Sequence, residues 1–304
     1  MDFTLSTYRT LIETLQQQGF SFLSLNEFIS KSTERFIILR HDVDSLPANS
    51  LRFARIEAEI GIKGTYYFRI VPESFDEKII KEIYSLGHEV GYHYEDCVFT
   101  RQKAKGKRQK IRNRITVALQ DCKTARPQDN GHMEEELALI AIESFKENLA
   151  KLRELVPVKT ICMHGSPMSR WDSRLLWKYY DYRDFGIIGE PYFNVNFDEV
   201  LYLTDTGRCW DGDFFNVRDK AAGSRLKAEG NPPPSALCPP PSANFPKFHS
   251  TFDIIKAAEK GQLPDRIMMT FHPQRWTDKP VPWVRELVYQ NIKNVAKYFL
   301  LRMR

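Results

Sequence analysis

Two apolar periods alternate along the chain from end to end. Apolar residues three and four apart mark helices. Tyr8, Leu11, Ile12 and Leu15 form the first, closed by Gly19, and Leu51, Ala54 and Ala58 line another. Ile79, Ile80, Ile83 and Leu86 follow; Ala138, Ile142, Phe145, Leu149 and Leu152 then predict a long helix. A final helix runs from about Trp283 to Leu301 on Leu287, Ile292, Val295 and Phe299. Ser24 with Glu27 reads as a capping box that opens a short second helix, so residues 1–34 form an N-terminal helical segment. Between these patterns lie short runs read as strands: Phe36–Val43, Gly64–Ile70, His88–Tyr94, Lys159–His164, Phe185–Gly189, Val200–Asp205 and Arg266–His272.

Alternation of strands and helices predicts a parallel sheet, and polar residues gathered at the carboxyl ends of seven strands favour a barrel. The expectation is a single α/β barrel domain over residues 1–304 with two insertions. One spans about 97–131. The other spans 221–246, where Pro232–Pro234 and Pro239–Pro241 exclude helix and sheet interior.

Charge changes the picture in one place. The net charge is +5, but the eight basic residues between Arg101 and Arg114 leave a mildly acidic remainder. No aromatic residue interleaves with that basic run, so a solvated insertion is preferred to a nucleic-acid platform. The cysteines, Cys97, Cys122, Cys162, Cys209 and Cys238, are odd in number and form no CxxC pair, which fits a reducing compartment. The start, Met1-Asp-Phe-Thr-Leu-Ser, has no basic or hydrophobic leader, and no long apolar run spans a membrane. A cytoplasmic location is expected.

The chemistry concentrates at four strand ends: Arg40-His41-Asp42-Val43-Asp44, Gly87-His88-Glu89-Val90-Gly91-Tyr92-His93-Tyr94-Glu95, Ile161-Cys162-Met163-His164-Gly165, and Phe271-His272-Pro273-Gln274-Arg275-Trp276. Residues i and i+2 on a strand face one side, so Asp42 and Asp44 converge. Two close carboxylates repel unless a cation or a proton intervenes. One Asp and two His with an open position would hold Zn²⁺ or a similar divalent ion (Co, Mn or Ni) and activate water.

These motifs resemble the polysaccharide deacetylase family (carbohydrate esterase family 4, the NodB-homology domain), in a branch with a His-Asp-Val-Asp first motif. The similarity covers roughly residues 35 to 275. Its most specific element is Gly87-His88-Glu89-Val90-Gly91-X-His93. The resemblance implies a distorted (β/α)7 barrel and metal-dependent hydrolysis of N-acetyl groups on sugars. It implies Asp42 as catalytic base, Asp44 and His93 as metal ligands, and His272 as the acid that protonates the leaving amine. Asp205 and Trp210 correspond to a motif lining the family's active site; Arg40, Arg275 and Trp276 complete the expected substrate-binding set.

The chain departs from the family at three points. Val43 separates the two acids, so base and ligand roles are open to exchange. Cys97 occupies the position of the family's second metal His; His164 is preferred as third ligand, because it ends a strand beside Gly165. The family's Arg-rich motif is missing, and Arg40 or Arg275 is expected to orient the base. His88 is read as structural, His41 as fixing a carboxylate, and His132 and His249 as surface residues. Trp210 and Trp276 can stack on a sugar ring or pack in the core. Cys162 falls near the site or beneath it. The expected substrate is a soluble N-acyl sugar or other glycan. Two alternatives are an amidase acting on a non-sugar amide and a barrel without catalysis.

Overall fold

The computed structural model describes residues 1–31, 33–97, 130–165, 173–210 and 247–302. The basic run and nearly all of both predicted insertions lie outside the described residues. In chain order the elements are α1 (Leu5–Gln17), β1 (Ser21–Leu23), α2 (Leu25–Ser30), β2 (Phe36–Val43), α3 (Pro47–Ile60), β3 (Thr65–Phe68), α4 (Glu77–Ser85) and β4 (Glu89–Tyr94). Then come α5 (Asn130–Arg153), β5 (Ile161–Met163), α6 (Leu176–Tyr179), α7 (Pro191–Asn194), β6 (Leu201–Thr204), α8 (Thr251–Glu259), β7 (Arg266–Phe271) and α9 (Pro280–Arg302).

The seven strands form one parallel sheet, six of them in the order β5-β4-β3-β2-β7-β6, curled into a half-barrel. Strand β1 pairs with the first half of β2 and β3 with the second half, so the two follow each other along one edge of β2. Every residue of β2 is buried, as expected of a strand covered on both faces.

Alternation along the strands divides the interior into two layers. Ile37, Leu39, Val43, Tyr66, Phe68, Val90, Tyr92, Ile161, Ile267 and Met269 face the helices and form the larger core with α1, α3, α5 and α8. Phe36, Ile38, Tyr67, Cys162 and Met268 point into the hollow and form a smaller core with Val195, Phe197 and Val200. Carried past the strand ends, that second parity is the one of Asp42, Asp44, Arg69, His93, Glu95, His164 and His272.

Local signals fix several elements. Ser24 and Glu27 make the expected capping box on α2. Gly19 takes φ 82° just beyond α1. The final helix begins at Pro280, three residues before its expected start. Of its expected apolar face Leu287 is half-buried and Ile292 is 63 % exposed, and the side chains of Val295 and Phe299 lie outside the described residues. The inward side is instead held by Trp283, which donates to Asp2 O, and by Asn294, which donates to Gly207 O.

Three expectations are corrected. Phe185–Gly189 is not a strand: Asp181 caps a 3-10 turn at Tyr182–Phe185, Gly186 ends it at φ 68°, and only Gly189 bridges to Thr160. The N-terminal segment is not wholly helical, because Ser21–Leu23 forms β1, too short to carry a period. Full barrel closure is not seen: among the described residues β5 and β6 do not pair.

Gly91 has a steric role. It lies beside Tyr67 in the β3–β4 register, and a Cβ there would come within 2.3 Å of the tyrosine ring and 2.9 Å of Thr160 O. Gly91→Ala is therefore expected to cost about 1–3 kcal/mol by overpacking, read from the midpoint of urea unfolding. An unshifted midpoint would show that the hollow yields freely there.

Candidate metal centre

The carboxyl ends of β2, β3, β4, β5 and β7 bring the polar residues of the hollow's parity onto one rim, where α/β barrels carry their chemistry. Asp42 is the second-last residue of β2, and both of its oxygens accept from Arg40, Nε to Oδ1 and Nη2 to Oδ2, each at 2.7 Å. Burial favours the neutral acid, but Arg40 and then His93 hold the Asp42 carboxyl below the usual range. Of the two arginines expected to orient the base, Arg40 contacts Asp42 and Arg275 contacts Asp205.

Asp44 has different surroundings. Its Oδ2 accepts from Gln274 Nε2 at 3.2 Å. Its Oδ1 is buried and accepts no hydrogen bond. That oxygen lies 3.6 Å from His93 Nε2 and 3.4 Å from His164 Nε2, and the three ligand atoms lie within 4.8 Å of one another. Tetrahedral ligands ~2.1 Å from a zinc ion stand ~3.4 Å apart. The set therefore fits a divalent cation, and the orphaned Oδ1 is the buried charge such an ion would satisfy. His93 Nδ1 lies 2.9 Å from Cys162 O, which accepts its N–H and leaves Nε2 with a free lone pair.

The second possible group, Asp42, His93 and Cys162, is wholly buried, but Arg40 already occupies both oxygens of Asp42. Burial also pushes the Cys162 thiol well up, away from thiolate. Asp44 is accordingly the ligand candidate and Asp42 the base candidate. Cys162 lies beneath the site. Cys97 is not in either group; it is buried in the helix-side core with its Sγ 3.9 Å from Ser173 O.

His272 Nε2 lies 4.0 Å from Asp44 Oδ2, facing the same space. Its Nδ1 bonds Asp205 Oδ1 at 2.5 Å, and its backbone N–H donates to Asp205 Oδ2 at 2.9 Å. Asp205 also accepts from Arg275 Nη1 and from Trp276 Nε1. Burial works against its charge, yet His272 and Arg275 keep the carboxyl lowered.

These contacts show what the expected substrate-binding residues meet within the chain. Trp276 (0 % exposed) and Trp210 (3 %) are core residues; Trp210 donates to Thr251 Oγ1. A tryptophan whose N–H is satisfied inside the core presents no face to a sugar. Asp205 and Arg275 orient His272, and Arg40 is committed to Asp42. His41 does meet a carboxylate, but on the opposite side of β2: its Nε2 lies 2.8 Å from Glu57 Oε1. His88 is structural as expected, accepting from Gly64 N and bonding Ala54 O. His249 is exposed, and the His132 side chain lies outside the described residues.

Three residues of the rim were not singled out from sequence: Glu95, Arg69 and Gln274. Glu95 and Arg69 follow His93 and Tyr67 by two positions, so period-two parity alone could have placed them. Gln274 sits in a 3-10 turn after β7, where no such rule applies.

The two histidines differ electrostatically. Burial drives His93 down to about 4. Burial also opposes charge on His164, but contact with Asp44 and Glu95 lifts it to about 9. Between those values the ion-free site carries its proton on His164, and an ion binding Nε2 must displace it. Affinity for Zn²⁺ or Co²⁺ should then rise about tenfold per pH unit below about 9, with one proton released per ion. Calorimetry in buffers of different ionisation heat measures both; an affinity flat across neutral pH contradicts the assignment. Metal content read by mass spectrometry should fall in His93→Ala and His164→Ala and persist in Cys97→Ala.

Comparison with protein-family models, with curated proteins and with solved structures finds no match for this chain.

Proposed function

We propose that this chain is a metal-dependent hydrolase that removes an acyl group, N-acetyl in the first instance, from an amino sugar or related carbohydrate. The observation that carries the reading is the convergence of His93 and His164 on one buried Asp44 oxygen that accepts no hydrogen bond, between an arginine-held Asp42 and an aspartate-held His272. The resemblance of the strand-end motifs to polysaccharide deacetylases points the same way.

Asp44, His93 and His164 would hold the ion, with zinc the first choice for two imidazoles and a carboxylate. When bound, it would supply an acidified water and a positive charge facing the amide oxygen. Asp42, kept ionised by Arg40, takes the proton of the attacking water. His272, with Nδ1–H committed to Asp205, presents Nε2 to the departing nitrogen and delivers a proton there as the C–N bond breaks. Asp205 stabilises the imidazolium that this step requires. The products are a free amine and a carboxylate.

One observation favours the second reading, an amidase acting on a non-sugar amide. Both tryptophans expected to form a sugar platform are buried. A panel of N-acetyl amino sugars and linear N-acyl amines, assayed for released acetate, separates the two. Asp42→Asn is expected to lower turnover about 10²–10⁴-fold while retaining bound metal, as loss of a general base does. Turnover unaffected in Asp42→Asn and His272→Ala would remove the hydrolase reading.

A further inference from the structure

The two candidate histidine ligands are held in different ways. His93 lies inside β4 with its Nδ1 fixed by a neighbouring strand carbonyl. His164 lies beyond the end of β5, where its backbone N–H donates to Tyr94 O at 2.8 Å. Its ring direction must come from side chains. The ring spans two carboxylates: Nε2 faces Asp44 Oδ1 at 3.4 Å and Nδ1 faces Glu95 Oε2 at 3.3 Å.

Glu95 is itself fixed. It is 6 % exposed, and both its oxygens accept from Arg69 Nη2, at 3.0 and 2.9 Å. The same guanidinium donates from Nη1 to Asp44 O at 3.2 Å. Arg69 N–H in turn donates to Ser74 Oγ, whose hydroxyl bonds Val43 O. One arginine thus connects the ends of β2, β3 and β4. It also neutralises Glu95, so that this carboxylate can face an imidazole without adding a second unpaired charge to the site.

We propose that Glu95, clamped by Arg69, is a positioning residue that aims His164 Nε2 at the metal site. The proposal rests on reading Asp44, His93 and His164 as the metal-binding set. A carboxylate behind a ligating histidine fixes its ring and raises its basicity, and such partners typically matter 10–100-fold in affinity. Glu95 lies two residues after His93 on the same strand parity, so one strand end supplies both a ligand and the support for a ligand on the next strand.

The test is Co²⁺ affinity of the full chain, measured by competition with a chelator, together with the visible absorption of the bound Co²⁺. Glu95→Ala should weaken binding about 10–100-fold and alter the spectrum. Glu95→Gln, which keeps an acceptor for Nδ1–H, should restore most of the affinity. In a His164→Ala background Glu95→Ala should add nothing, which a general loss of structure would not reproduce. The paired change Arg69→Met with Glu95→Ala leaves neither charge unpaired and should weaken binding as Glu95→Ala does. Weakening of equal size with and without His164, or none in Glu95→Ala and the paired variant, overturns the positioning role and leaves the metal reading intact. A wild-type chain that binds no Co²⁺ overturns the metal reading and this proposal together.

Discussion

Four carboxylates meet at the carboxyl rim of the half-barrel, and that much buried negative charge must be compensated locally. Asp42 has Arg40, Glu95 has Arg69, and Asp205 has Arg275 together with His272. Asp44 is the exception. Its neighbours are three imidazole nitrogens at 3.4 to 4.0 Å and one amide N–H, and its Oδ1 bonds nothing. In the absence of an ion a proton on His164 balances it. A divalent cation would do so with a stronger field and a geometry that the three ligand atoms already approximate. The metal-centre reading follows from this asymmetry among the carboxylates.

The same strand also builds a second polar cluster with its other face. His41, one residue before Asp42, turns toward the helices, stacks on Tyr66 and meets Glu57 from α3, to which Tyr8 from α1 donates. His88 bonds the same layer from the loop before β4. The histidine-rich motifs of the sequence therefore divide between two tasks. Odd positions of β2 anchor helices to the sheet, and even positions carry the rim. This division makes His41 and His88 parts of the frame that holds the catalytic candidates in place.

The limits of legibility can be traced to particular residues. Periodicity gave β2 to the residue and most helices within a few positions, because long or fully buried elements carry a strong pattern. It missed β1, whose three residues cannot express a period, and it read a strand at Phe185–Gly189, where apolar residues pack around a turn instead. The tryptophans illustrate a different limit. Adjacency to a polar strand end says nothing about which way an indole turns, and Trp276 turns inward to satisfy Asp205 from beneath.

Taken alone, the sequence determined the parallel α/β alternation, the strand ends that bear Asp42, Asp44, His93, His164 and His272, and the pairing of Asp42 with Asp44 on one face. These follow from local periods of two and of three to four, which need no knowledge of neighbours in space. Only the tertiary structure decided which carboxylate is left without an arginine, that His164 rather than Cys97 joins His93, that Arg40 serves Asp42 and Arg275 serves Asp205, and that Glu95 stands behind His164. Those outcomes depend on the register between strands and on the depth to which each side chain is buried. Charge compensation acts across a few ångströms of space, whatever the separation along the chain.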